Sequence, residues 1–286
     1  ASTIKLLTSL IFLEERGSTH QFSTKLGYTG TIDSEGTLTG NLIIYGTGDP
    51  SFGSGRYGRE NELGILLEEM GTYVQRAGIT CVEGNIIIDA SYFGSDCTPH
   101  TWQYNDLGNY YASGIWSVNA NENAYKLTLG RTGGKVTLKS VSPTVPYLYF
   151  KNELDLGPKN SGDQAYIFCA PYQDKAYIRG SIPSGSGNFS IRGAIPDAPY
   201  FTGYMFMEKL KEKGIHVEYV QTSFTPVPIS KILYEHKGIQ AGKQVKSAIS
   251  KSINLYCEAF LKELGQGSRS KGIKFIESYL EENYII

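Results

Sequence analysis

The chain has 286 residues, a 40% hydrophobic share and a formal net charge of −1, a length that suits two or three domains rather than one small core. Near-neutral charge removes any electrostatic argument for nucleic acid or acidic membranes as partners. No apolar run reaches the length of a membrane-spanning helix, while 33 glycines and 21 tyrosines suit a chain of many turns and strands.

The opening stretch, Ala1-Ser2-Thr3-Ile4-Lys5, places Ser2 and Lys5 at i and i+3, which share one face of a helix. A serine hydroxyl needs a neighbouring base to act as a nucleophile, and a lysine serves as one when burial or nearby positive charge lowers its pKa. Taken alone, the pattern fits a capping serine followed by a surface lysine better than a catalytic pair. The run Leu6 to Leu13 is apolar almost all round, which predicts a buried helix ending at Gly17.

Period-two patterns then predict strands over Phe22 to Tyr28 and parts of Thr37 to Tyr45, with turns at Gly30, Gly36 and Gly40. Gly46 to Pro50 reads as a tight loop in which Asp49 forms the turn. An amphipathic helix follows over Glu60 to Arg76, its apolar stripe at Leu63, Leu66, Leu67, Met70 and Val74, and then a buried strand at Gly84 to Asp89. The stretch Thr98 to Tyr111 is irregular and aromatic, which suggests a domain seam or a site wall, with Trp102 on the seam side.

From 124 to 192 the chain reads as strands throughout, with a hairpin turn over Arg131-Thr132-Gly133-Gly134. A helix is predicted over Ala198 to Lys213, a strand over His216 to Gln221 and a linker around Pro226 and Pro228. One helix is predicted over Lys243 to Leu264 and another over Ser270 to Tyr284. Cys81, Cys97, Cys169 and Cys257 show no metal-like grouping, and their spacing leaves free thiols and a disulfide both open.

Helical ends around a β-rich middle suggest one domain built from both ends, with the middle inserted. The boundaries are 1–20 and 230–286 for the domain of the two ends, 21–120 and 193–229 for an inserted α+β domain, and 121–192 for a nested β-rich domain. The last helical segment holds Lys251-Ser252-Ile253-Asn254. There a second serine can relay a proton between a lysine and a leaving amine, and an asparagine amide can hold a substrate's backbone.

Several stretches together resemble the class C low-molecular-mass penicillin-binding proteins, the D-alanyl-D-alanine carboxypeptidase/endopeptidase family. They are Ala1 to Thr8, the Gly-x-Gly-Asp-Pro loop Gly46 to Pro50, and Val82 to Phe93. Asp106 to Asn123 follows, with Asp-Leu-Gly-Asn-Tyr-Tyr and then Asn-x-Asn-Glu-Asn, and after it Ile195 to Pro199 and Lys251 to Ala259. The resemblance implies a multidomain α+β protein with an incomplete transpeptidase/β-lactamase-like domain, interrupted by an α+β domain that itself carries a β-rich one.

It also implies roles. Ser2 is the acylated nucleophile, Lys5 its base, Ser252 the proton relay and Asn254 a substrate-orienting donor, with the Ser2 backbone N–H as half of an oxyanion hole. Asp106 would accept a cationic substrate terminus and Tyr111 would pack against its aliphatic part, although a helix cap and a seam aromatic fit the same residues. Ser117-Val118-Asn119 and Arg131-Thr132-Gly133 imitate further motifs and are read as structural.

The implied activity is serine D-Ala-D-Ala carboxypeptidase, with endopeptidase action open, on peptidoglycan stem peptides. β-Lactams are expected to acylate Ser2, with no metal or cofactor and no nucleic-acid partner. Peripheral membrane association and oligomeric state stay open. The alternative is a catalytically silent relative that binds peptidoglycan or acts as a scaffold. Nothing after Asn254 matches the family's Lys-Thr-Gly strand. The expectation is therefore an incomplete, inactive stretch of a periplasmic or otherwise extracytoplasmic protein whose signal peptide is not present in this chain.

Overall fold

A computed structural model describes residues 2–284; Ala1, which opens the Ser-x-x-Lys segment, and the closing pair Ile285 and Ile286 lie outside the described residues. In chain order the elements begin with α1 (Ile4–Arg16), β1 (Ser23–Tyr28), β2 (Thr31–Ile32), β3 (Thr37–Thr39), β4 (Leu42–Gly46), α2 (Leu63–Arg76), β5 (Cys81–Val82) and β6 (Asn85–Asp89). The middle holds α3 (Tyr104–Leu107), β7 (Ala124–Thr132), β8 (Lys135–Ser142), β9 (Tyr149–Gly157), β10 (Gln164–Phe168), β11 (Lys175–Pro183) and β12 (Asn188–Ala194). Last come α4 (Ala198–Glu212), β13 (Tyr219–Ser223), β14 (Lys231–Lys237), α5 (Ala241–Ser250), α6 (Asn254–Leu264) and α7 (Arg269–Tyr284).

The chain divides into two compact units, the first of Ala1–Cys97, Ile115–Glu122 and Ala198–Ile286 and the second of Thr98–Gly114 and Asn123–Asp197. The first is built on a five-stranded sheet ordered β13-β6-β4-β1-β14, with β13, β6 and β4 parallel and β1 and β14 antiparallel to their neighbours. Leu42, Ile43, Ile44, Ile86 and Ile88 are wholly buried, the near-continuous apolar runs of strands covered on both faces. Helices α2 and α4 pack on each other and on this sheet, α2 through the predicted stripe Leu63, Leu66, Leu67, Met70 and Val74. The β2-β3-β5 ribbon completes the strands of this unit.

Both chain ends meet in a helical layer where α1 packs against α5 and α6, and α6 against α7. Its core includes Phe12, Phe22, Val245, Leu255, Tyr256, Phe260 and Leu264. The Phe12 ring stacks on Phe260 with centroids 4.4 Å apart. Among the described residues α1 is buried along one side, which carries Ile11 and Phe12; Ile4, Leu6 and Leu10 are 60%, 44% and 58% exposed. The predicted all-round burial of this helix does not hold for the described residues, because its neighbours contact it along a single stripe.

One further expectation is corrected. The single helix over Lys243 to Leu264 is two helices, α5 and α6, separated by Lys251-Ser252-Ile253. Ser252 has φ +54°, and its turn closes with Ser252 N–H to Ile249 O at 3.3 Å and Ile253 N–H to Ala248 O at 2.9 Å. This is the helix-ending arrangement that usually takes glycine at its left-handed position, and a serine there hides the break from a reading by periodicity. The expected linker around Pro226 and Pro228 is an irregular connection between β13 and β14; β14 itself is an edge strand on β1 whose charged, exposed positions mask strand alternation.

The second unit has two three-stranded sheets, β12-β7-β8 and β10-β11-β9. The β7–β8 hairpin turns on Gly133 and Gly134, both with positive φ, as a two-residue mirror-image turn requires. Tyr125, Leu127, Leu129, Ile167, Ala176, Ile178 and Ile182 are buried. The irregular aromatic stretch contains α3 and a short 3-10 turn over Tyr110–Ala112. All four cysteines are free thiols.

Two outcomes follow from this packing. Phe260→Ala, which empties the ring stacked on Phe12, is expected to lower unfolding free energy in urea by about 3–5 kcal/mol, against about 0.5 kcal/mol or less for the exposed edge residue Ile232. The wholly buried Lys262 donates to Phe93 O at 3.1 Å and to Asp96 O. Burial first, and Arg269 second, push it down from 10.5 to about 8. Between those values the unfolded chain binds more protons at this site, so its contribution to stability rises with pH. Lys262→Met should flatten that rise in denaturation curves taken from pH 8 to 10.5; an unchanged slope counts against this origin.

Candidate active site

The first turn of α1 is set by Lys5 N–H to Ser2 O at 3.2 Å and Leu6 N–H to Thr3 O at 3.1 Å, with Thr3 in the right-handed helical region. Ser2 and Lys5 thus stand one turn apart. The Lys5 amine donates to the Ser252 carbonyl at 2.7 Å and to its hydroxyl at 2.8 Å. The Ser252 hydroxyl in turn donates to Ser2 Oγ at 3.2 Å. These bonds run Lys5 Nζ to Ser252 Oγ to Ser2 Oγ, so the second serine lies between the lysine and the first. Asn254 opens α6 two residues later and is half-buried.

The environment suits a base. Partial burial lowers the Lys5 pKa below 10.5, while the nearby Cys257 pulls the other way. Cys257 is itself pushed up to about 11, mainly by burial, so it is a neutral thiol near neutral pH. The left-handed backbone at Ser252 costs roughly 1–2 kcal/mol relative to an ordinary helical conformation. A glycine would relieve that cost but would carry no hydroxyl.

Asp106 and Tyr111 belong to the second unit, where the Tyr111 hydroxyl donates to Asp106 Oδ1 at 3.0 Å. Burial first, and the Asp106 carboxylate second, raise the Tyr111 pKa, so the phenol stays a donor. The imitative motifs have structural duties. Ser117 Oγ donates to Ala90 O at 2.7 Å and accepts from Phe93 N–H at 2.8 Å. Asn119 holds the backbone of Trp116 and Asp49. Arg131 donates to the carbonyls of Pro183 and Ser186. Asp49 caps its own loop, accepting from Ser51 N–H at 2.9 Å and Oγ at 2.6 Å, and from Gln244 of α5 at 3.2 Å.

Residue-by-residue reading assigned no role to a buried acid close behind α6. Glu122 accepts from Arg56, Ser54 and Tyr256. The only sequence signal was its place in the Asn-x-Asn-Glu-Asn run. Among the described residues no helix is long and apolar enough to cross a membrane.

The model of the D-Ala-D-Ala carboxypeptidase 3 (S13) family matches residues 1–285. The chain is 24% identical over 218 residues to the D-alanyl-D-alanine carboxypeptidase DacB of Haemophilus influenzae, covering 75% of this chain and 43% of the relative. It is 22% identical over 289 residues to a D-alanyl-D-alanine carboxypeptidase of an Actinomadura species, covering 95% of this chain and 50% of the relative. The chain therefore spans about half the length of these relatives. The crystal structure of Haemophilus influenzae penicillin binding protein 4 superposes with a TM-score of 0.82 at 22% identity, over all of this chain and 62% of that one. The same protein complexed with a β-lactam superposes with a TM-score of 0.74 at 18% identity, over 100% and 61% of the two chains. These superpositions give the mixed α+β fold of penicillin binding protein 4. With a family model matched from end to end, the chain belongs to the D-Ala-D-Ala carboxypeptidase 3 (S13) family.

Proposed function

We propose that the protein is a serine-type D-alanyl-D-alanine carboxypeptidase acting on peptidoglycan stem peptides through an acyl-enzyme on Ser2. The observation that carries this reading is the hydrogen-bonded run Lys5 Nζ, Ser252 Oγ, Ser2 Oγ. Ser2 Oγ attacks the carbonyl carbon of the penultimate D-alanine. Its proton passes to Ser252 Oγ, whose own proton passes to a neutral Lys5 amine. The oxyanion is met by the Ser2 backbone N–H. When the C–N bond breaks, the leaving D-alanine amine takes a proton back along the same route, and water then hydrolyses the ester.

β-Lactams acylate Ser2 by presenting a strained amide to the same groups, and cross-link cleavage is the same step on a longer leaving amine. Asn254 orients the substrate amide. Asp106 accepts a cationic substrate terminus and Tyr111 packs on its aliphatic part. Such a substrate places the protein outside the cytoplasmic membrane. We also keep as a proposal the three-part layout, with the helical ends forming the catalytic domain around an α+β insertion and its nested β-rich domain.

Intact mass of the full-length gene product after benzylpenicillin treatment is expected to show one adduct, absent from Ser2→Ala. No adduct on the folded wild type would favour a catalytically silent, wall-binding relative. Ser252→Gly separates chemistry from folding. Its stability should stay within about 1 kcal/mol of wild type, since relief of the left-handed strain offsets glycine's entropy. Its acylation should slow by about 10²–10⁴-fold. Wild-type acylation should rise with pH through a midpoint below 10.5, because burial lowers the Lys5 pKa; a rate flat across that range would remove Lys5 as the base.

A further inference from the structure

Glu122 sits where backbone and side-chain observations both point to over-determination. Asn121, Glu122 and Asn123 all have positive φ, +53°, +55° and +49°. Three successive residues with side chains in this region carry strain that the surroundings must hold. Glu122 is 9% exposed. Its Oε1 accepts from Ser54 Oγ at 3.0 Å, Arg56 Nε at 2.6 Å and the Tyr256 hydroxyl at 3.0 Å, and its Oε2 accepts from an Arg56 terminal nitrogen at 2.8 Å. The two-bond guanidinium grip fixes the carboxylate plane. Burial alone would raise the Glu122 pKa, but the bonds and charge of Arg56, with Ser54 and Tyr256, more than offset it and hold the group ionised.

Tyr256 is the informative partner. It is wholly buried, lies on the first turn of α6, and follows Ser252 by four residues and Asn254 by two. Nothing in the serine–lysine chemistry uses its hydroxyl. The turn before α6 has a left-handed Ser252 and no side-chain cap at Ile253, and the Tyr256–Glu122 bond adds an anchor where α6 begins. The Glu122–Tyr256 bond joins two stretches that carried the family resemblance, the Asn-x-Asn-Glu-Asn run and Lys251 to Ala259.

We propose that Glu122, clamped by Arg56, is a positioning residue that sets the first turn of α6 through the Tyr256 hydroxyl and thereby places Ser252 and Asn254 against Ser2. The inference rests on the proposed acyl-transfer reading for its catalytic consequence but not for its structural one.

Tyr256→Phe removes one hydroxyl and keeps the ring in the core; Glu122→Gln keeps the shape and loses the charge. In the full-length protein, benzylpenicillin acylation resolved into binding and chemical steps should show the chemical step slowed about tenfold or more, as loss of about 1.4 kcal/mol of placement implies, with binding within about twofold. On the same proteins, amide hydrogen exchange should quicken at residues 251–255 while the sheet strands β4 and β6 keep wild-type protection. An unchanged chemical step, or exchange that quickens evenly across the unit, overturns the inference. Should the wild type form no adduct, the acyl-transfer reading fails by itself, and unchanged exchange at 251–255 in both variants would still overturn the positioning role.

Discussion

Lys5 and Ser252 are 247 residues apart in the chain and share two hydrogen bonds, to the carbonyl and to the hydroxyl of the same serine. Every other feature of the site depends on that meeting. It requires α1 and α6 to lie side by side, which the stacked rings of Phe12 and Phe260 and the surrounding apolar cluster provide. It also requires the chain to break between α5 and α6, because a continuous helix would carry the serine's backbone carbonyl in its own ladder. Packing supplies the stabilisation, and the break supplies the exposed carbonyl and hydroxyl that the lysine needs.

The local cost is visible in the backbone. A serine in the left-handed region at the end of α5 is a poor choice for stability and a necessary one for a hydroxyl at that point. The protein meets that cost with polar groups fixed by burial. Glu122 binds Arg56 and Tyr256, and Asp49 binds Ser51 and Gln244. Each ties a loop of the first unit to α5 or α6, the two helices that flank the Ser252 turn. In a low-dielectric setting such fully partnered bonds are stiff, and a missing partner is expensive.

The legible parts of the chain were those where one local signal dominated. The stripe of α2 needs only its own spacing, and the Gly133-Gly134 hairpin needs only two residues that accept positive φ. The Ser-x-x-Lys and Lys-Ser-x-Asn patterns were legible only in the company of the other family landmarks, because each alone also fits a cap or a surface residue. The edge strand β14 was not legible, since an edge exposes charged side chains on both faces and blurs the alternation. Nor was the break at Ser252, which the residue pattern over 243–264 does not mark and the backbone angle shows. The one-sided burial of α1 was also hidden, because its apolar residues say nothing about how many neighbours arrive to cover them.

By itself the sequence determined the mixed α+β class, the serine and lysine types at helical spacing, and the order of motifs that marks the S13 family. These are short-range properties, carried by residue type and spacing. The tertiary structure alone decided that Ser252 stands between Lys5 and Ser2, which backbone groups Ser117 and Arg131 hold, and that Glu122 reaches Tyr256. Each of those is a contact between residues far apart in the chain, and its geometry follows from how helices and strands pack rather than from any local pattern.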